Sequence, residues 1–161
     1  MTLLGMVGRL VEAEVRFVVI GGLAMRAHGS ARLTEDLDIC YDTAPDNLRR
    51  LADTLAGWHA HLRGVEPGLP FVMDVRTLRT TPVLTLVSDH GDIDVMDLVA
   101  GVGGYAEVLT QSVETGSGGV RFRVLDLPAL IKAKRAAGRL KDREQLPELE
   151  ALLARRKRGP E

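Results

Sequence analysis

The stretch Ile20-Gly21-Gly22-Leu23-Ala24-Met25-Arg26-Ala27-His28-Gly29-Ser30-Ala31-Arg32-Leu33-Thr34-Glu35-Asp36-Leu37-Asp38-Ile39 decides the fold. The continuous apolar run Phe17-Val18-Val19-Ile20 leads into it and predicts a buried strand. Two glycines break that strand, Leu23 to His28 predicts a short helix, and Gly29 stops it. A second strand is expected from Glu35 to Tyr41. Residues two apart on a strand share a face, so Asp36 and Asp38 project together while Leu37 and Ile39 point into a core. Two carboxylates side by side repel each other unless a cation lies between them. Hard oxygen donors suit Mg²⁺. The glycine pair before a helix start predicts a backbone that an anion can approach closely.

A third carboxylate comes from a separate segment. Val83 to Val87 predicts a strand, Ser88-Asp89-His90-Gly91 its turn, and Asp92 to Met96 the returning strand. Alternation puts Ile93 and Val95 on one face and Asp94 on the other. A charge in mid-strand among apolar neighbours is costly without a partner. Of its rivals, Asp92 is assigned to the turn, and Asp97 faces away from Asp94 if the strand stays regular.

Elsewhere the pattern is helical or hairpin-like. Leu3 to Glu14 has one apolar stripe with Thr2 as its cap. Asp46 to Ala56 is amphipathic, with Leu48, Leu51, Ala52 and Leu55 inward. Trp58 to Pro70 has little pattern, and Phe71 to Pro82 is left open between a loop and a short helix. Tyr105 to Leu109 predicts a helical turn, and 111–115 with 120–125 a hairpin. Asp126 caps a helix from Pro128 to Ala137 that carries Lys132, Lys134 and Arg135 and ends at Gly138. A last helix from about Lys141 to Arg155 is expected to break at Pro147.

The chain has 161 residues, 45% of them apolar, enough for one domain with a real core. Residues 1–120 hold nine Lys/Arg against sixteen Asp/Glu, whereas residues 121–161 hold twelve against six. An acidic body with a basic end suits a polyanion such as a nucleoside triphosphate or RNA. The lone Cys40 forms no internal disulfide, which fits a reducing cytosol, and small buried hydrophobe outweighs reactive thiol for it. There is no leader-like start and no apolar run of about 18 residues, so a cytoplasmic protein without a membrane span is expected. His59 and His61 lack a third ligand at metal spacing, which argues against zinc.

The pattern h-G-G, thirteen residues, D-h-D-h, then a distant h-D-h resembles the nucleotidyltransferase superfamily of DNA polymerase beta. More narrowly, Gly21-Gly22-x-Ala24, His28-Gly29-x-x-Arg32-x-Thr34-x-Asp36-x-Asp38 is similar to the minimal and abortive-infection (AbiEii-like) nucleotidyltransferases of toxin–antitoxin pairs. Leu130-Ile131-x-x-Lys134-x-x-x-Gly138-Arg139-x-Lys141-Asp142 resembles their C-terminal helical segment.

The resemblance implies an α/β (α+β) fold: a small mixed sheet, helices packed on one side, a core over 1–126 and a helical segment with a basic tail over 127–161. It implies transfer of a nucleoside monophosphate from an NTP, ATP or another, to a hydroxyl of tRNA or protein, within a toxin–antitoxin or phage-defence system with a co-encoded partner. Asp36, Asp38 and Asp94 are then the catalytic carboxylates and the ligands of two Mg²⁺ ions. Gly21, Gly22, Ser30, Arg32, Lys134 and Lys141 are the nucleotide contacts. Gln145 and Leu146-Pro147 stand where the family often has further acidic or aromatic residues. Two alternatives stay open: transfer to an antibiotic, and an antitoxin-like binding module whose catalysis has lapsed.

Overall fold

The computed structural model describes residues 2–66 and 68–159; Pro67, within the poorly patterned 58–70 run, lies outside them. Sixteen elements follow in chain order: α1 (Leu3–Glu12), β1 (Phe17–Val19), α2 (Gly22–Ala27), β2 (Asp36–Tyr41), α3 (Pro45–Gly57), β3 (His61–Leu62), α4 (Val75–Thr80), β4 (Val83–Ser88), β5 (Gly91–Met96), β6 (Leu98–Val99), β7 (Gly103–Gly104), α5 (Tyr105–Thr110), β8 (Ser112–Ser117), β9 (Val120–Leu125), α6 (Leu127–Ala137) and α7 (Leu140–Lys157). Seven strands form one mixed sheet in the order β3-β4-β5-β2-β1-β9-β8, and β6 and β7 form a small ribbon beside it. β2 runs parallel to β5 and antiparallel to β1, while β1 runs parallel to β9.

Register follows from the apolar alternation. Leu37 and Ile39 lie opposite Ile93 and Val95, and all four are fully buried. A slip of one residue would turn this row to the charged face, so burial fixes the pairing. The same register sets Asp36 opposite Asp92 and Asp38 opposite Asp94. Asp92 is therefore a strand residue paired to β2, correcting its assignment to the turn; the turn closes at Asp89–His90, leaving Gly91 paired with Ser88.

Helices cover both faces of the sheet rather than one. α1 lies on the Leu37 face, where Met6 reaches Gly91 and Gly8 faces Val120. α4 joins it there through the Tyr41 hydroxyl, which donates to the Leu78 carbonyl. α5 packs on β1, β2 and β9, with Tyr105 near Asp42 and Cys40 of the opposite face. α6 also covers part of that face, setting Lys134 beside Asp38. Cys40 is buried, and burial followed by the charge of Asp97 pushes its thiol up to about 12, an inert state at neutral pH.

The junction of β1, β2 and α3 is tied by the fully buried Asn47. Its Oδ1 accepts from the Arg16 backbone N–H at 2.7 Å, and its Nδ2 donates to the carbonyls of Arg16 and Asp42 at 3.0 and 2.8 Å. A buried amide satisfied in this way fixes one arrangement of the elements it joins. The Phe71–Pro82 region contains a helix, α4, because the Asp74 carboxylate accepts from the Thr77 N–H at 2.9 Å and caps it.

α6 starts as expected, with Asp126 accepting from the Ala129 N–H, and ends at Gly138, whose φ of 63° suits a residue without a side chain. α7, however, runs unbroken through Pro147. The proline forfeits one backbone hydrogen bond. Leu149, fully buried, and Leu146, Leu152 and Leu153, partly buried, hold the helix on both sides of it. Tertiary packing outweighs the local break.

Candidate active site

Asp38 sits in the centre of the sheet, flanked on its own face by Asp94 from β5 and by the β1–α2 turn. The two carboxyls lie within hydrogen-bonding reach of each other. Burial first, then the charge and hydrogen bond of Asp94 and the charge of Asp36, push the Asp38 carboxyl up to about 7, against a smaller opposing pull from Lys134. The Asp94 Oδ1 is buried with no hydrogen-bond partner. A carboxyl that resists ionisation beside two others marks a place with a surplus of negative charge. Among the described residues no three His, Cys, Asp or Glu side chains converge as a finished metal cage. The structure brings Asp38 and Asp94 into contact and leaves Asp36 on the same face, one step along β2.

Gly21 makes that pair possible. A Cβ built on Gly21 would fall 1.8 Å from the Asp38 Oδ2, and one on Gly22 would fall 2.6 Å from the Thr34 side chain. The glycine pair thus lets the turn lie directly on the carboxylate, a stricter demand than the open backbone inferred from sequence.

A cleft of about 610 Å³ opens above these residues. Gly22, Arg32, Asp36, Asp38, Asp94, Lys134 and Lys141 line it, so most of the sequence-derived contacts share one cavity. Ser30 does not line it. Its buried hydroxyl accepts from the Arg32 N–H at 3.2 Å and meets Glu148, whose carboxyl it holds below the usual range together with Arg32. Arg32 pairs with Glu148 at 3.0 Å rather than with Glu35 or Asp36. His28 is a packing residue: its Nε2 donates to the Leu125 carbonyl at 2.8 Å, and burial lowers its pKa. His59 pairs with Asp89 on the surface, and neither His59 nor His61 lines the cleft.

Three residues of the site carry more than sequence pattern suggested. Arg139 also lines the cleft. Asp142, fully buried, binds Arg139 at 2.8 Å and Lys134 at 3.3 Å, and caps α7 through the Arg139 backbone N–H. Burial raises its pKa, but the two cations outweigh that and hold the carboxyl ionised. Removing it would strand the Lys134 ammonium, only 14% exposed, without a partner. Asp142→Ala is expected to cost about 3 kcal/mol of stability in a urea titration.

Arg63, just past β3, reaches across β4 with Nη2 2.9 Å from the Asp94 Oδ1 and Nε 3.4 Å from Asp92. The angles are too poor for a hydrogen bond, and Nη2 donates instead to the Leu86 carbonyl. Arg63 therefore offsets charge on β5 without saturating Asp94. No spacing rule links it to Asp94; only the β3–β4–β5 register could have shown it.

This fold is matched by a crystal structure from Thermotoga maritima, provisionally described as that of a nucleotidyltransferase. The TM-score is 0.56 and the identity 17%, over 91% of this chain and 88% of that one. At that identity the match defines the class of fold. A comparison with curated proteins finds no match. Residues 6–131 match the family described as nucleotidyl transferase AbiEii toxin, Type IV TA system, and the chain belongs to that family. It is a toxin–antitoxin nucleotidyltransferase, and the type IV system implies an antitoxin partner. Among the described residues no helix is long and apolar enough to cross a membrane.

Proposed function

We propose that the protein transfers a nucleoside monophosphate from an NTP to an acceptor hydroxyl, with Mg²⁺ held by Asp38, Asp94 and Asp36. One observation carries this reading: a buried carboxyl pair, one member held up to about 7, at the floor of a cleft that four cations line. The residues fit hard divalent cations, because every donor is a carboxylate oxygen and Lys134 and Arg63 offset the charge of the pair only in part. Such ions, when bound, lower the charge barrier between an attacking oxygen and a polyphosphate.

The remaining work falls to the chain itself. Lys134, Arg139, Lys141 and Arg32 line the cleft where a triphosphate would lie and would oppose charge building on the departing pyrophosphate. Asp142 holds Lys134 and Arg139 in place at the cleft. Asp94 is placed to take the proton of the attacking hydroxyl. The acceptor is the hydroxyl of a macromolecule, tRNA or protein, as in the resemblance noted above. Retention of the carboxylates, the clearing glycine and the cation-lined cleft together argues against a lapsed binding module.

Purified protein is incubated with Mg²⁺ and each labelled NTP, with tRNA, protein and aminoglycoside acceptors. Label should move to an acceptor hydroxyl in a divalent-dependent way. No transfer from any NTP, unchanged by Asp36→Ala, would favour the binding module, and transfer to the drug alone would favour the antibiotic enzyme. Arg63→Met supplies a separate check. Removing a cation 2.9 Å from Asp94 should tighten Mn²⁺ binding several-fold in an EPR titration, while turnover falls about tenfold as Asp94 loses its anchor. Weaker Mn²⁺ binding would show that Arg63 builds the site rather than competing for it.

A further inference from the structure

One face of α7 carries Lys141, Gln145 and Glu148 at helical spacing. Lys141 and Gln145 line the cleft. Glu148, a turn further on, meets the loop between α2 and β2. Its Oε2 accepts from the Arg32 Nε at 3.0 Å, and the Ser30 hydroxyl and the Ala31 backbone N–H face the same carboxylate. These donors, Ser30 foremost, hold the carboxyl below its usual range against the opposing effect of burial. The Glu144 carbonyl, also on α7, accepts from the Arg32 Nη2 at 3.5 Å. Arg32 thus lines the cleft with an anion already bound to it.

The cations of the cleft are therefore not equivalent. Lys134 and Arg139 share the carboxylate of Asp142, which is 0% exposed, and a pairing so enclosed does not exchange its partner. Arg32 and Glu148 are 49% and 30% exposed, and a pair so open to water is weak and exchanges readily. A phosphate group suits a guanidinium at least as well as a carboxylate does, because it carries more charge and accepts in the same forked geometry. Resting on the nucleotidyl-transfer reading above, we propose that Glu148 is a tethered competitor for the polyphosphate of the nucleotide. It holds Arg32 in the empty cleft, yields it when the phosphates enter, and takes it back as pyrophosphate leaves. Because the carboxylate is fixed to α7, its effective concentration at Arg32 is high, and even a weak pair opposes a phosphate ligand. The rivalry limits how tightly the cleft holds substrate and product alike. Asp142 works in the opposite sense, keeping its two cations at the cleft whether or not a nucleotide is bound.

Isothermal titration calorimetry of the full chain with Mg²⁺ and inorganic tripolyphosphate or pyrophosphate reads this without an acceptor. Glu148→Gln should tighten the binding of both by about three- to fivefold. Glu144→Gln removes the same charge from α7 but leaves the carboxylate on Arg32, and it should change neither by more than about twofold. In an Arg32→Met background, Glu148→Gln should have no further effect, since the two side chains act as a pair. Thermal unfolding without ligand checks that each variant is folded. Weaker or unchanged binding in Glu148→Gln would make Glu148 a prop of the loop and overturn the proposal. Equal tightening in Glu148→Gln and Glu144→Gln would assign the effect to the overall field of α7 and overturn it as well. If the wild type binds the polyphosphates and Glu148→Gln changes nothing, only the competitor falls. If neither protein binds tripolyphosphate or any NTP, the nucleotidyl-transfer reading falls with it.

Discussion

Without divalent cations, Asp38→Asn should be more stable than the wild type at pH 8, and the difference should vanish near pH 4. An unfolded chain ionises this carboxyl near its model value of 3.8, whereas the folded chain holds the proton up to about 7. Folding therefore takes up a proton between those values. The stability tied to the protonated Asp38 is fully present below about pH 4 and is lost as pH rises through about 7. At about 1.4 kcal/mol per pK unit, the loss is on the order of 2–4 kcal/mol. Asparagine mimics the protonated acid and escapes it. Urea titrations across this range measure the difference. The same variant should lose about 10³-fold in transferase activity, roughly 4 kcal/mol of barrier, because the substitution that relieves the resting protein removes a carboxylate proposed to hold the ions. Equal stability of the two proteins at pH 8 would mean that the Asp38 carboxyl is not under strain.

Gly21→Ala should be nearly as damaging to activity. Gly21 is packed directly on the Asp38 side chain, so the effect is first one of space. The added methyl would overlap the Asp38 Oδ2 at 1.8 Å and the Cγ at 2.6 Å. Either the carboxylate turns away from Asp94 or the β1–α2 turn lifts off the sheet. The first separates the pair, and the second removes the turn that lies over it. Activity should fall at least about 100-fold, with Mn²⁺ affinity falling alongside it. Far-ultraviolet circular dichroism should remain that of the wild type, since Gly21 precedes α2 and the register of β2 is held by Leu37 and Ile39 on its other face. Retained activity in this variant would mean that the carboxylate works in some other rotamer.

The strands that carry the site were legible because their signal is local. Leu37, Ile39, Ile93 and Val95 alternate strictly with the aspartates, and burial of that row leaves one register. The Asp126 cap and the Gly138 stop were legible for the same reason. What sequence order alone could not show is contact between distant segments. Arg63 meets Asp94 only through the pairing of three strands, β3, β4 and β5, the first of them two residues long. The resemblance makes Ser30 a nucleotide contact, whereas α7 brings Glu148 against it. Pro147 gave the right local signal and the wrong result, since buried leucines on α7 outweigh one missing hydrogen bond. Asp92 was drawn into the turn by its neighbours Asp89 and Gly91, although its pairing with Asp36 keeps it in β5.

The measurement that bears most directly on the carboxylate pair is Mn²⁺ binding to the wild type, Asp38→Asn and Asp94→Asn, followed by EPR with and without a non-hydrolysable NTP. The account predicts wild-type binding that tightens with nucleotide and is lost in each variant while both stay folded. Undiminished Mn²⁺ binding in the two variants would contradict it and place the ions elsewhere.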